Sequence, residues 1–156
     1  MTTRRQLWTL VVLIPVLLGT GPCGPISGGR IDGTVVTTVP GDWHFTDDLS
    51  TIQVETRPAD PLSVTTWCFT DGPQLFVPSH GAAKKPWVQN VTKEPRVRLR
   101  IGEQIYEMQA TRITDQAELG RLIPLLRAKY RMARWGMEDD PAKSPETWFF
   151  RMTPRS

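Results

Sequence analysis

Ser79-His80-Gly81-Ala82-Ala83-Lys84-Lys85 packs a hydroxyl, an imidazole, three small residues and two ammonium groups into one short run. Trp87 and Asn90 follow and add an aromatic ring and an amide. Small residues let a backbone approach a ligand closely, and the N–H groups at a helix start favour an anion. The set suits a phosphate-bearing aromatic cofactor: cations and N–H groups on the phosphate, strand residues beside the ring. An ordinary solvated turn uses the same residue types, so both readings stand at this point.

Other chemistries lack their parts. His44 and His80 are the only histidines and no Gly-x-Ser-x-Gly elbow is present, which removes the serine-triad hydrolases. No group of Cys, His and carboxylates has metal-ligand spacing, so no metal site is expected. The pairs Asp47-Asp48 and Asp139-Asp140 are adjacent in turns, where side chains diverge instead of sharing a substrate. A phosphate loop of the G-x-x-x-x-G-K-[ST] type is absent.

The elements that must position the loop are mostly strands. Fourteen prolines in 156 residues punctuate short β-rich runs. Strands are expected at Gly33–Val39, Ile52–Glu55 and Val64–Thr70. After an Asp71-Gly72 hairpin comes Gln74–Val77, ending at Pro78. Pro86 is allowed in the first turn of a short helix over Pro86–Thr92, and Pro95 blocks its continuation. Arg96–Ile101 alternates charged and apolar residues and forms a hairpin through Gly102-Glu103 with Gln104–Ile113. Its arginines, Arg96, Arg98 and Arg100, read as the solvated face of an edge strand. Thr114 or Asp115 caps the one sizeable helix, Gln116–Arg134, which Pro124 should kink or split near Leu122. Thr147–Thr153 closes the chain as a last strand.

Residues 1–24 read as an export or membrane-targeting segment. Arg4-Arg5 precede an apolar run from Leu7 to Leu18, too short to span a bilayer comfortably, and small residues follow. The arginine pair suits a twin-arginine signal or an ordinary Sec one. Cys23 is a candidate for lipidation, while Cys68 is expected to be buried and inert. Residues 25–32 read as a tether and 33–154 as one domain. The net charge of +3 includes Arg4 and Arg5, and without them acids and bases nearly balance. That is no footprint for nucleic acid.

At Leu75–Ile101 the sequence resembles the flavin- and deazaflavin-binding split β-barrel proteins, the pyridoxamine-phosphate-oxidase-like superfamily. Its deazaflavin-dependent nitroreductase branch is the nearest. The resemblance runs through Val77, Ser79, His80, Gly81, Ala82, Lys84-Lys85-Pro86, Trp87, Asn90-Val91 and Pro95-x-Val97, and returns at Phe149–Pro154. In this chain His80 stands where the branch usually has Lys, and Glu94 where Asn usually precedes the proline. The resemblance implies a mainly β (α+β) fold: a six- to seven-stranded antiparallel split β-barrel with one long, Pro-kinked helix. It also implies a homodimer and FMN or a deazaflavin of the F420 type as cofactor. Ser79, His80, Gly81, Ala82, Lys84, Lys85, Trp87 and Asn90 would form the cofactor site. No side chain is required for acid–base work, so no catalytic residue is named.

Two functions follow. One is an exported flavin- or deazaflavin-dependent oxidoreductase in the cell envelope, attached to the membrane through its N-terminal segment or a lipid. The other is a non-catalytic envelope protein that keeps the barrel without the cofactor, or binds another ligand such as haem. The cation count of the loop separates them: Lys84 and Lys85 favour the first, His80 the second.

Overall fold

The computed structural model describes residues 28–135 and 137–155. The targeting segment 1–24, with Cys23, lies outside the described residues. The strands and helices are β1 (Thr34–Val35), β2 (Ile52–Thr56), β3 (Leu62–Thr66), β4 (Phe69–Asp71), β5 (Gln74–Ser79), α1 (Pro86–Lys93), β6 (Arg96–Ile101), β7 (Gln104–Ile113), α2 (Gln116–Lys129) and β8 (Trp148–Pro154). The sheet runs β3-β2-β6-β7-β8-β5-β4. It curls until β3 meets β5, giving the half-closed barrel expected of a split-barrel α+β fold.

Alternating side chains divide the interior into two cores. Val54, Leu75, Val77, Leu99, Met108, Phe150 and Met152 fill the barrel and receive Trp87, Val88 and Val91 from α1. Phe69, Phe76 and Phe149 point the other way and are covered by Leu122, Ile123 and Leu126 of α2. The period-2 pattern of β6 is realised in full; on β7 Tyr106, Met108 and Ala110 are buried on one face and Ile105 on the other, and Gly102 takes a positive φ of 61° at their turn. Asp115 caps α2 by accepting the Glu118 N–H at 2.7 Å.

Several expectations are corrected. The run Val64–Thr70 is two strands, because the Tyr130 hydroxyl takes over the Cys68 backbone. It accepts the Cys68 N–H at 3.1 Å and lies 2.7 Å from the Cys68 carbonyl, so neither group enters a ladder. Pro78 does not end β5, which continues to Ser79 with Pro78 opposite Phe149. Beyond Phe76 that strand has no β4 partner, and a proline is tolerated where one side is free. Pro124 likewise stays inside an unbroken α2, and the helix ends at Lys129 instead of Arg134.

The fourth correction is the arginine stripe, since β6 lies between β2 and β7 and is no edge. Its arginines are ion-paired, Arg96 with Glu94, Arg98 with Glu55 and Arg100 with Glu103. The expected first strand is also shorter, and β1 pairs in parallel with the start of β7. Residues 28–32 are docked on the domain: Gly28 bridges to Ser63 and Ile31 is buried.

Candidate functional site

The β5–α1 connection lies where the barrel stays open. Gly81 enters it with φ 63°, a left-handed conformation that a side chain would strain, and a 3-10 turn at Ala82–Lys84 follows. The Ala82 N–H donates to the Glu146 carbonyl at 3.0 Å, pinning the turn to the segment before β8. His80 Nδ1 lies 3.0 Å from the Thr147 hydroxyl and 3.6 Å from the Glu146 carboxylate. The loop is therefore held through Ala82 and His80, and not through its lysines.

Lys84 and Lys85 are both exposed, and neither meets a carboxylate among the described residues. Lys85 is also the N-cap of α1, and no side chain caps that helix end. Two ammonium groups at the positive end of a helix repel its dipole until an anion joins them. Immediately before the loop, the Ser79 hydroxyl is buried with no hydrogen-bond partner. A buried hydroxyl without a partner is costly in an empty site and is satisfied by an incoming acceptor. The uncapped helix start with its two lysines fits a phosphate-bearing group.

A cleft of about 250 Å³ opens beside this loop. Thr65, Thr66 and Trp67 come to it from β3 and its continuation, Pro78, His80 and Lys85 from the loop side, and Leu126 from α2. A smaller apolar lobe, about 180 Å³, is lined by Leu62, Val64, Pro86 and Trp87 and shares Thr65, Thr66 and Lys85 with the cleft. The Trp67 ring lies flat against Tyr130, with 4.5 Å between centroids. Burial pushes the Tyr130 phenol up, so it stays a neutral hydrogen-bonding group near neutral pH. Burial also pushes the Cys68 thiol up, despite Lys129 4.0 Å from its sulfur, which leaves Cys68 protonated and unreactive.

Of the predicted residues, His80 and Lys85 line the cleft, Lys84 is exposed beside them, and Ser79 and Gly81 lie next to them in the chain without lining it. Ala82 is fully buried under the turn and sets its shape. The Trp87 ring packs into the barrel core 5.4 Å from Phe150, and only its edge of the apolar lobe is left to a ligand. Asn90 faces elsewhere: its amide donates to Thr56 Oγ1 at 3.1 Å and ties α1 to β2. Sequence reasoning missed Thr65, Thr66, Trp67 and Tyr130. The available signal was the Thr65-x-Trp67 alternation, which puts a polar and an aromatic residue on one face of an otherwise apolar run. Among the described residues no group of His, Cys, Asp and Glu could hold a metal ion.

The sequence profile of the F420H(2)-dependent quinone reductases matches residues 59–137, half of the chain. The chain belongs to that family. A deazaflavin is thus its cofactor, and its class is that of the deazaflavin-dependent oxidoreductases. The matched span contains β3, β5, the loop, both helices and the Trp67–Tyr130 pair, so the profile covers most of the cleft lining.

No curated protein matches the chain. Solved structures show the same split-barrel fold at low identity. One is similar to a protein of pyridoxamine 5'-phosphate oxidase type from Listeria innocua: TM-score 0.55, 16% identity, 72% of this chain and 90% of that one. The heme storage protein HutZ of Vibrio cholerae has TM-score 0.55 and 15% identity over 72% and 87% of the two chains. An FAD-binding protein of Mesorhizobium loti has TM-score 0.51 and 11% identity over 70% and 84%.

Proposed function

We propose that the protein is an exported, membrane-attached deazaflavin-dependent quinone reductase that works as a homodimer. The observation that carries the cofactor half is the pair Lys84 and Lys85 at the uncapped start of α1, with no carboxylate against them. These lysines and the Ser79 hydroxyl would hold the cofactor's phosphate. The Trp67–Tyr130 stack offers a flat apolar wall for its ring, and Thr65 and Thr66 offer hydroxyls for its polar chain. When bound, the reduced deazaflavin supplies the hydride that the acceptor receives. The protein's share is to orient both rings and keep water out, and no side chain is assigned as acid or base.

Quinone as acceptor is carried over from the family. Export is supported by Arg4-Arg5 and the apolar run Leu7–Leu18, and membrane attachment by that run or by a lipid on Cys23. A twin-arginine route would deliver the protein with its cofactor already bound. The homodimer is supported by size: a cleft of about 250 Å³ is smaller than ordinary ligand pockets, about 300–1,000 Å³, and a second copy would complete its walls.

The test is a fluorescence titration with F420, comparing the native protein with a Lys84→Ala/Lys85→Ala double variant. Losing two charge-assisted phosphate contacts should weaken binding about 100-fold or more. Turnover of reduced F420 with added quinones then identifies the acceptor. A protein that takes up neither F420 nor FMN would be the cofactor-free barrel instead, and the reductase reading would fall.

A further inference from the structure

A second cavity, of about 390 Å³, lies between the start of α2, the 141–147 segment and the start of β8. Its volume falls within the ordinary range of ligand pockets, about 300–1,000 Å³. It shares only Thr147 with the cleft beside Lys85. Arg112, Thr114, Gln116 and Ser144 supply its polar groups, and Leu119, Ile123 and Phe149 an apolar wall. No Asp or Glu is among the residues that line it.

Arg112 is the one charge in that lining. It stands opposite Phe150 across β7 and β8, so Trp148 is its diagonal neighbour on the same face. The guanidinium lies 3.4 Å from the centre of the Trp148 ring. A stack of this kind orients the flat of the guanidinium and leaves its N–H edge to donate. The strands carry five arginines, and Arg96, Arg98, Arg100 and Arg151 are each paired with a glutamate. Arg112 alone meets no carboxylate among the described residues. The acids nearest it in sequence are engaged elsewhere: Asp115 caps α2, Glu118 pairs with Arg121 and Arg151, and Glu107 with Arg155. Partial burial lowers the Arg112 pKa, a cost that a bound anion would offset. The residue is nonetheless exposed, so an anion reaches it from solvent.

We propose that this cavity is a second binding site, for a monocarboxylate with an apolar body. The carboxylate would take the Arg112 fork, and the body would lie against Leu119, Ile123 and Phe149. One guanidinium balances one carboxylate, whereas a phosphate dianion would keep a charge uncompensated. Ser144 Oγ accepts the Glu138 N–H at 3.0 Å, which leaves its own hydrogen for a carboxylate oxygen. The proposal stands apart from the cofactor reading, because the two sites have different cations.

Calorimetric titration of the full chain with octanoate and benzoate tests it, with octylamine and inorganic phosphate as counter-probes. Both acids should bind the native protein more tightly than either counter-probe. Arg112→Gln should weaken them about tenfold or more, by loss of a charge-assisted contact. Arg112→Lys keeps the charge without the flat fork and should fall between the two. The Lys84→Ala/Lys85→Ala variant should bind the acids as the native protein does. In a nitrogen-15 spectrum octanoate should shift the Arg112 Nε–H and Gln116 signals and leave that of Lys85 in place. Failure of both acids to bind at about 1 mM overturns the proposal. Equal binding of octylamine would make the site merely apolar, and tighter binding of phosphate would make it an inorganic anion site; either overturns the carboxylate. Acids lost with the two lysines but kept in Arg112→Gln would lie in the cofactor cleft, which also overturns it.

Discussion

Trp67 and Tyr130 lie ring on ring, 4.5 Å between centroids and 8° from parallel, although one follows β3 and the other caps α2. The contact sets the end of the helix against the cleft. Its rigidity comes from the phenol oxygen, which lies 2.8 Å from the Ser50 carbonyl while it also serves both backbone groups of Cys68. Removing only the oxygen, Tyr130→Phe, leaves a buried N–H without a partner. The expected loss is about 1–3 kcal/mol, read from urea denaturation. An unchanged midpoint would show that water replaces the phenol there.

Ser79→Ala should act with opposite signs on stability and binding. The free protein loses a buried hydroxyl that has no partner, and should gain about 1 kcal/mol. F420 loses a hydroxyl donor to its phosphate, and its dissociation constant should rise about fivefold to tenfold. Thermal denaturation without ligand and fluorescence titration with it give the two readings. A variant that is destabilised and binds normally would mean the hydroxyl is satisfied in the free protein and idle in the complex.

Glu55 is 2% exposed and is the hub between Ile31, Arg98 and the barrel. Glu55→Ala strands Arg98, whose side chain is 16% exposed, and frees the Ile31 N–H. Breaking such a pair by removing one partner should cost about 3–5 kcal/mol. The local consequence is release of the segment before β2, and trypsin should then cut at Arg30 under native conditions. Continued resistance at Arg30 would show that the Gly28–Ser63 bridge holds the segment alone.

The exposed His44–Asp47–Thr70 cluster predicts a pH window. A hydrogen bond with Asp47, then the charge of Asp42, raises the His44 pKa above its ordinary 6.5. For Asp47 burial pushes upward, but hydrogen bonds from Thr70 and His44 outweigh it and the pKa falls below 3.8. A raised histidine stabilises fully below its unfolded pKa and loses that contribution as pH rises through the folded value. A depressed carboxylate stabilises above its unfolded pKa and loses it as pH falls. The pair is therefore complete between 3.8 and 6.5. His44→Ala should lower stability at about pH 5 and have no effect at about pH 9. An equal deficit at both would assign the loss to packing.

Local patterns made β6, β7, their turn, α1 and the Asp115 cap readable, because each is decided by neighbours in sequence. What stayed hidden depends on partners far along the chain. Nothing in Val64–Thr70 announces that Tyr130 will claim the Cys68 backbone and split the strand. Pro78 and Pro124 look like breakers until the free flank of β5 and the packing of α2 are known. The arginines of β6 suggest an edge, since strand order is not a local property. The loop Ser79–Lys85 was legible by residue type, while Asn90, turned toward Thr56, and Trp67, turned toward the cleft, needed the third dimension.

Among the described residues β8 comes last in the chain but not in space: it lies between β7 and β5. It also supplies Phe150 to one core and Phe149 to the other. Until residues 148–154 are made, the β3-β2-β6-β7 half and the β5-β4 half of the sheet share no hydrogen-bonded ladder. The nascent sheet therefore closes only after β8 has been made. Deleting Trp148–Pro154 would abolish the fold as a whole, even with the cofactor loop intact.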